Sequence, residues 1–204
     1  MENNKNVQMC EELLNENNLF EVYRVSRKIP FSKTNKFLLI IFCIISLIFT
    51  LGIDGQELVK DIPVLSSTLL AAVLTVLGFL IAGYTIFCSV LNHNLSMELY
   101  NSEEKPLGFS QLKYSHLLFM RVFFYYLVYA FFLFSVVFFS KSTSLSSIIS
   151  VISNHDRCIF FIINYILYNS LFIGMSFLML QLASFIFNIY HTVMTSICLT
   201  EINK

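Results

Sequence analysis

Four stretches of this chain contain no Asp, Glu, Lys or Arg: residues 37–53, 62–97, 122–140 and 158–200. The hydrocarbon core of a bilayer holds no water, so a segment that crosses it must satisfy its own backbone polar groups. A helix of about 20 apolar residues does so. The four stretches therefore predict four transmembrane helices and an all-α, polytopic membrane protein. Composition agrees, since 56% of the 204 residues are hydrophobic and 13% are charged, against roughly 25% charged in a soluble domain. The charges are segregated, with eleven of the twenty-six in residues 1–36. Thirteen Lys and Arg balance thirteen Asp and Glu, which leaves no basic field for collecting phosphates and argues against direct nucleic-acid binding.

The first span, 37–53, reaches about 25 Å at 1.5 Å per residue, enough for a thin bilayer. The second, 62–91, has Pro63 near its start, where a missing N–H costs little, and is longer than a membrane requires. The third, 117–139, carries Arg121 in its first turn, where a long stem reaches the headgroups as an interfacial anchor. The fourth, 158–190, continues uncharged to Glu201; as one helix the whole stretch would be roughly 65 Å, so its end leaves the bilayer. Long cytoplasmic extensions of the second and fourth helices are therefore expected. The chain divides on this reading into an N-terminal segment, 1–36, and a four-span membrane domain, 37–200. A cleaved signal peptide is not expected, since the first apolar run begins only at Phe37.

Orientation follows from the flanks. Arg24, Arg27, Lys28, Lys33 and Lys36 precede the first span, and Lys105 and Lys113 lie between the second and third, whereas the other side offers Lys60, Lys141 and Arg157. By the positive-inside rule both termini and the 92–116 loop are cytoplasmic. Residues 54–61 read as a tight external turn and 92–116 as a polar loop broken at Pro106 and Gly108. In the second external loop Leu145, Ile148, Ile149 and Ile152 have the spacing of a surface-lying amphipathic helix. A short cytoplasmic helix is predicted within 7–22, with Val7, Cys10, Leu13 and Leu14 on one face.

Two stripes stand out. In the second span Thr68, Ala71, Thr75, Gly78, Ala82, Thr85 and Ser89 recur every three or four residues, which lines one helix face with small or polar groups. Lipid gives helices no hydrophobic reason to associate, so close approach at small residues and inter-helix hydrogen bonds do the joining. The stripe predicts a packing or oligomer face, with a pore lining as the other reading. The fourth span has a matching stripe of Ser170, Gly174, Phe177, Gln181, Ser184, Asn188, His191 and Thr195. Its polar cytoplasmic half (Gln181, Ser184, Asn188, His191) is expected to meet Thr85, Ser89 and Asn92. The aromatic residues of 119–139 wrap the whole circumference of the third span, as in a helix that meets both lipid and neighbours.

Motifs for chemistry are missing. There is no GxGxxG, Walker GxxxxGK[ST] or HExxH sequence, and Gly174-Met175-Ser176 lacks the spacing of a serine elbow. The cysteines are single, and the four histidines lie far apart in sequence, so no disulfide scaffold, metal site or cofactor is implied. No Asp or Glu lies within a span to carry a proton or sodium ion. A non-enzyme is the expectation.

The short charged N-terminus, the four spans and the run GFLIAGYTIFCS (Gly78–Ser89) together resemble the membrane subunit of the bacterial Kiwa anti-phage defence system. The resemblance implies a non-enzymatic, oligomeric inner-membrane protein that detects phage attack at the envelope and works with a soluble, cytoplasmic DNA-binding partner. It carries over no individual functional residue. Two functions are therefore expected from sequence: a homo-oligomeric scaffold or sensor that docks such a partner through 1–36, the 92–116 loop and the tail after His191, or a small oligomeric channel or pore-former.

Overall fold

A computed structural model describes residues 2–91, 93–102, 105–141 and 157–202. All its regular structure is helical: α1 (Glu2–Leu13), α2 (Leu19–Ser26), α3 (Lys33–Leu51), α4 (Gly55–Val90), α5 (His93–Asn101), a 3-10 turn at Pro106–Gly108, α6 (Gln111–Lys141) and α7 (Arg157–Ile202). Four of these, α3, α4, α6 and α7, are long and apolar enough to cross a membrane. The fold is all-α and the protein a multi-pass membrane protein. The 46-residue α7 runs on past the fourth span as expected, whereas the 36 residues of α4 lengthen the second span at its start, from Gly55, and end at Val90, so the extension expected beyond residue 91 is not part of that helix.

Several boundaries differ from those read in the sequence. The 54–61 segment is not a turn but the first two turns of α4. Glu57 and Leu58 N–H bond to the Asp54 carbonyl, and the buried Leu58 and Ile62 fix one face of the new helix. Pro63 lies inside that helix, and its carbonyl accepts the Ser66 and Ser67 hydroxyls at 3.2 and 2.7 Å. The supposed loop 92–116 contains α5 and the start of α6. Between them lies the Pro106–Gly108 turn, with Leu107 and Gly108 at φ 59° and 82°. The N-terminal helix is two helices, because Asn18 caps α2 by accepting the Glu21 N–H at 2.9 Å. The amphipathic segment expected at Leu145–Ile152 lies outside the described residues.

The chain forms two compact units. Residues 31–79 and 125–181 make one, built from α3 and from parts of α4, α6 and α7. Tyr126 and Tyr129 of α6, one turn apart and buried, donate their hydroxyls to the Leu178 and Leu171 carbonyls of α7. Gly174 sits under the Tyr129 ring, and a Cβ there would lie 2.3 Å from it. On the other flank of α7, buried Asn169 accepts hydrogen bonds from Ser46 at 2.6 Å and Thr50 at 3.1 Å of α3. Phe119, Tyr126 and Tyr129 of α6 are buried whereas Phe131, Phe134, Phe138 and Phe139 are exposed, so the aromatic helix has an inner and an outer side.

Residues 1–30, 80–124 and 182–204 make the other unit. Ile29 packs on Leu117 and Leu118, with Val22, Val25, Phe109 and Tyr114 around them. Tyr23 of α2 stacks on Phe124 of α6 at 4.1 Å. The N-terminal segment is therefore folded against the start of α6.

Candidate functional site

The α4 stripe faces outward. Thr68, Ala71, Thr75, Gly78, Ala82, Thr85 and Ser89 are all exposed, while Leu58, Ile62, Ser66, Val73 and Leu80 fill the opposite, buried face. An added Cβ at Gly78 or Gly83 would meet nothing within 4 Å. The packing or oligomer face expected of this stripe is therefore not buried against the chain itself, whose own core takes Leu58, Ile62, Val73 and Leu80 together with Ser66. The hydroxyls of Thr68, Thr75 and Thr85 donate to carbonyls one turn back, at 2.9–3.0 Å, and Ser89 donates to the Ile86 carbonyl at 2.8 Å. By helical periodicity the exposed Leu74 and Ile81 border the stripe on one side, and the exposed Phe79 and Ile86 on the other. The result is a shallow, uncharged channel along the helix, walled by apolar side chains and floored by backbone.

The α7 stripe is not one face with one role. Ser170 bonds within its own helix to the Leu167 carbonyl. Phe177 lies 5.9 Å from Phe31 and 5.2 Å from Tyr125. Gln181 is 1% exposed, and its Nε2 has no hydrogen-bond partner. Ser184, Asn188 and His191 belong to the unit that holds the N-terminus, whereas Gln181 belongs to the other. Thr85 and Ser89 are exposed, and their hydroxyls bond carbonyls of their own helix; Asn92 lies outside the described residues. Asn188 and His191 help to wall a cavity of about 430 Å³ with Lys105, Pro106, Gln111, Tyr114 and Leu118.

Arg121 is not a headgroup anchor. It is 7% exposed, and its guanidinium donates to the Ile29 carbonyl at 3.0 Å, so it fastens the end of the N-terminal segment to α6. Two turns earlier Lys113 does the same for α1 and the segment after it. Its ammonium bonds the Glu12 carbonyl and pairs with Glu16 at 2.9 Å, with both side chains under a tenth exposed. The Glu12 carboxylate receives the Ser110 N–H and hydroxyl, each at 3.0 Å, at the start of α6. Burial first, and then the charge and hydrogen bond of Glu12, raise the Tyr100 phenol above its ordinary pKa. Glu12 thus ties α1 to both α5 and α6.

His116 Nδ1 lies 3.2 Å from the Tyr84 hydroxyl, edge-on to the rings of Tyr84 and Phe87. The predicted amphipathic face of α1 looks outward: Val7 and Leu14 are 50% and 74% exposed and, with Cys10, line an open hollow.

The sequence reading missed the Glu12–Glu16–Lys113 clamp and the Asn169–Ser46–Thr50 contact. Ser46 and Thr50, four apart in an apolar run, were a visible signal for the second. For the first there was none, since the partners are about a hundred residues apart and look like ordinary surface charges.

The fold and these faces define a multi-pass α-helical membrane protein with an outward-facing channel of small residues. The chain matches no protein-family model, and no curated protein or solved structure is significantly similar to it.

Proposed function

We infer that this protein is a non-enzymatic scaffold or sensor of the bacterial inner membrane that self-associates through the small-residue face of α4. The observation that carries the reading is the exposure of all seven small or polar residues on that face. In lipid, helices gain by close van der Waals approach at such positions, and an uncharged channel with apolar walls accepts a helix ridge. The hydroxyls on it already bond their own helix, so a neighbour need not supply partners. The likeness to the Kiwa membrane subunit adds the setting, which is anti-phage defence with a soluble, DNA-binding partner on the cytoplasmic side. The exposed Arg24 on α2 and Arg27 and Lys28 just after it, five or more residues before α3 begins, support a cytoplasmic N-terminus. The open hollow lined by Val7, Cys10, Glu11, Leu14, Asn15 and Asn17 is then the surface offered to the partner.

The channel reading places the same α4 face around a path in an oligomer, and the threonines on it are the observation in its favour. The α7 stripe gives that reading no help, because Phe177 and Gln181 are packed and Ser170 bonds its own helix.

Cysteine cross-linking in native membranes tests self-association. Ala71→Cys and Ala82→Cys should give covalent dimers on oxidation, whereas Ile162→Cys, also exposed but on α7, should not. Equal cross-linking at all three sites would refute a specific α4 interface. Steady ion current from the purified oligomer in bilayers would favour the channel.

A further inference from the structure

We propose that the outer side of α2 and the turn after it bind the headgroups of anionic phospholipids, in the leaflet from which α3 starts. The inner side of this helix is fixed. Val22, Val25 and Ile29 pack with Leu117 and Leu118 of α6, Tyr23 stacks on Phe124 at 4.1 Å, and the Arg121 guanidinium donates to the Ile29 carbonyl at 3.0 Å. Phe20, Arg24 and the C-cap residue Arg27 fall on the opposite side by helical spacing. All three are exposed, as is Lys28 in the turn that follows.

Two lengths set this segment at the membrane boundary. A charge in the hydrocarbon core is expensive, so the crossing part of α6 lies between Arg121 and Lys141. Residues 122–140 hold no charge and reach about 28 Å, against a core of about 30 Å. No length is spare, so Phe124 stands in the first turn of the crossing, and Tyr23 stacks on it there. The 19 residues of α3 are equally short, which puts Lys33 and Lys36, in its first turn, at the boundary too. Lys28 precedes that turn by five residues.

Charge selects the lipid. Between Glu21 and Asp54 the chain has five Lys and Arg and no acid. Glu21 itself is engaged at the start of α2, where its carboxylate accepts the Asn17 N–H at 2.8 Å and the Asn18 amide at 3.2 Å. Among the described residues Arg24, Arg27, Lys28, Lys33 and Lys36 have no carboxylate partner. The two guanidinium groups lie over rings instead, Arg24 at 5.7 Å from the centre of Phe20 and Arg27 at 6.0 Å from that of Tyr23. A guanidinium held by its flat face keeps its edge N–H groups for a phosphate, which it can grip at two points. Phe20 is 60% exposed, and an apolar ring beside basic side chains suits a helix that lies among headgroups. A choline head cancels the charge of its own phosphate, whereas cations without acidic partners attract a head with net negative charge.

The chain contains no tryptophan, so Phe20→Trp in the full-length protein puts a single indole on this face. In phosphatidylcholine nanodiscs with a rising share of phosphatidylglycerol, its emission should shift to the blue and brominated lipid should quench it. Salt at about 1 M should reverse the shift, because charges are then screened within about 3 Å. Arg24→Gln and Arg27→Gln, each added to Phe20→Trp, should weaken the response to phosphatidylglycerol about fivefold. Neither should move the unfolding midpoint, since both side chains are exposed. An indole that aqueous acrylamide quenches equally at every lipid composition would overturn the proposal. So would a blue shift that both arginine variants keep in full, or a response to double-stranded DNA with none to phosphatidylglycerol.

Discussion

Asn169 holds three hydrogen bonds, two accepted from Ser46 and Thr50 and one donated to the Tyr165 carbonyl at 2.8 Å. Thr50 also bonds the Ser46 carbonyl, so losing Asn169 strands chiefly the Ser46 hydroxyl. Bonds of this kind between membrane helices are worth about 0.6–2 kcal/mol each. Asn169→Leu should therefore destabilise the protein by about 1–3 kcal/mol, read as a lowered midpoint in detergent unfolding. Gly174→Ala should cost a similar amount by a different route, because its new methyl would have to push aside a Tyr129 ring whose hydroxyl is already tied to α7. An unchanged midpoint for Gly174→Ala would mean that the ring moves freely. Lys113→Met should be worse than either, since it leaves the Glu16 carboxylate buried without its cation; losses of about 3–5 kcal/mol accompany such breaks. Early proteolytic release of residues 1–30 from Lys113→Met is the expected sign.

Among the elements, α4 and the N-terminal helices were legible to different degrees. The length and charge-free composition of α4 were plain in the sequence, and so was its small-residue stripe. The direction of that stripe was not, because spacing defines a face without saying which neighbour it meets. On α7 the residues that bury most deeply include Leu171, Leu178 and Phe185, seven apart. The stripe read there runs alongside this seam, and its members Gly174, Phe177 and Gln181 are packed without forming one polar face. The N-terminal segment read as a short cytoplasmic helix with no tie to the third span, because its acids gave no sign of the buried Lys113 far along the chain.

That finding changes how partner docking should be tested. Removing residues 1–30 would uncover Lys113 and Arg121 and unfold what they hold, so point changes on the outward side of α1 are the cleaner probe. Leu14→Asp, at a 74% exposed site, should release a soluble partner in pull-downs while unfolding as wild type does. Retained partner binding would move the docking surface elsewhere.

At the scale of the molecule, we propose that both termini lie on the cytoplasmic side, as expected from an even number of spans and from the Lys and Arg distribution. Periplasmic activity of a reporter fused after residue 20 or 204 would contradict the orientation. The central claim is that a face unused by the single chain exists to join chains. It is tested by counting subunits in nanodiscs for the wild type and for Gly78→Leu and Ala82→Leu. Neither position has a close neighbour to displace: Gly78 has open space around it and Ala82 is exposed. The account predicts an oligomer for the wild type, and monomers with an unaltered unfolding midpoint for both variants, because bulk on this face separates chains and leaves each one's core intact. A monomeric wild type, or variants that assemble as the wild type does, would contradict it.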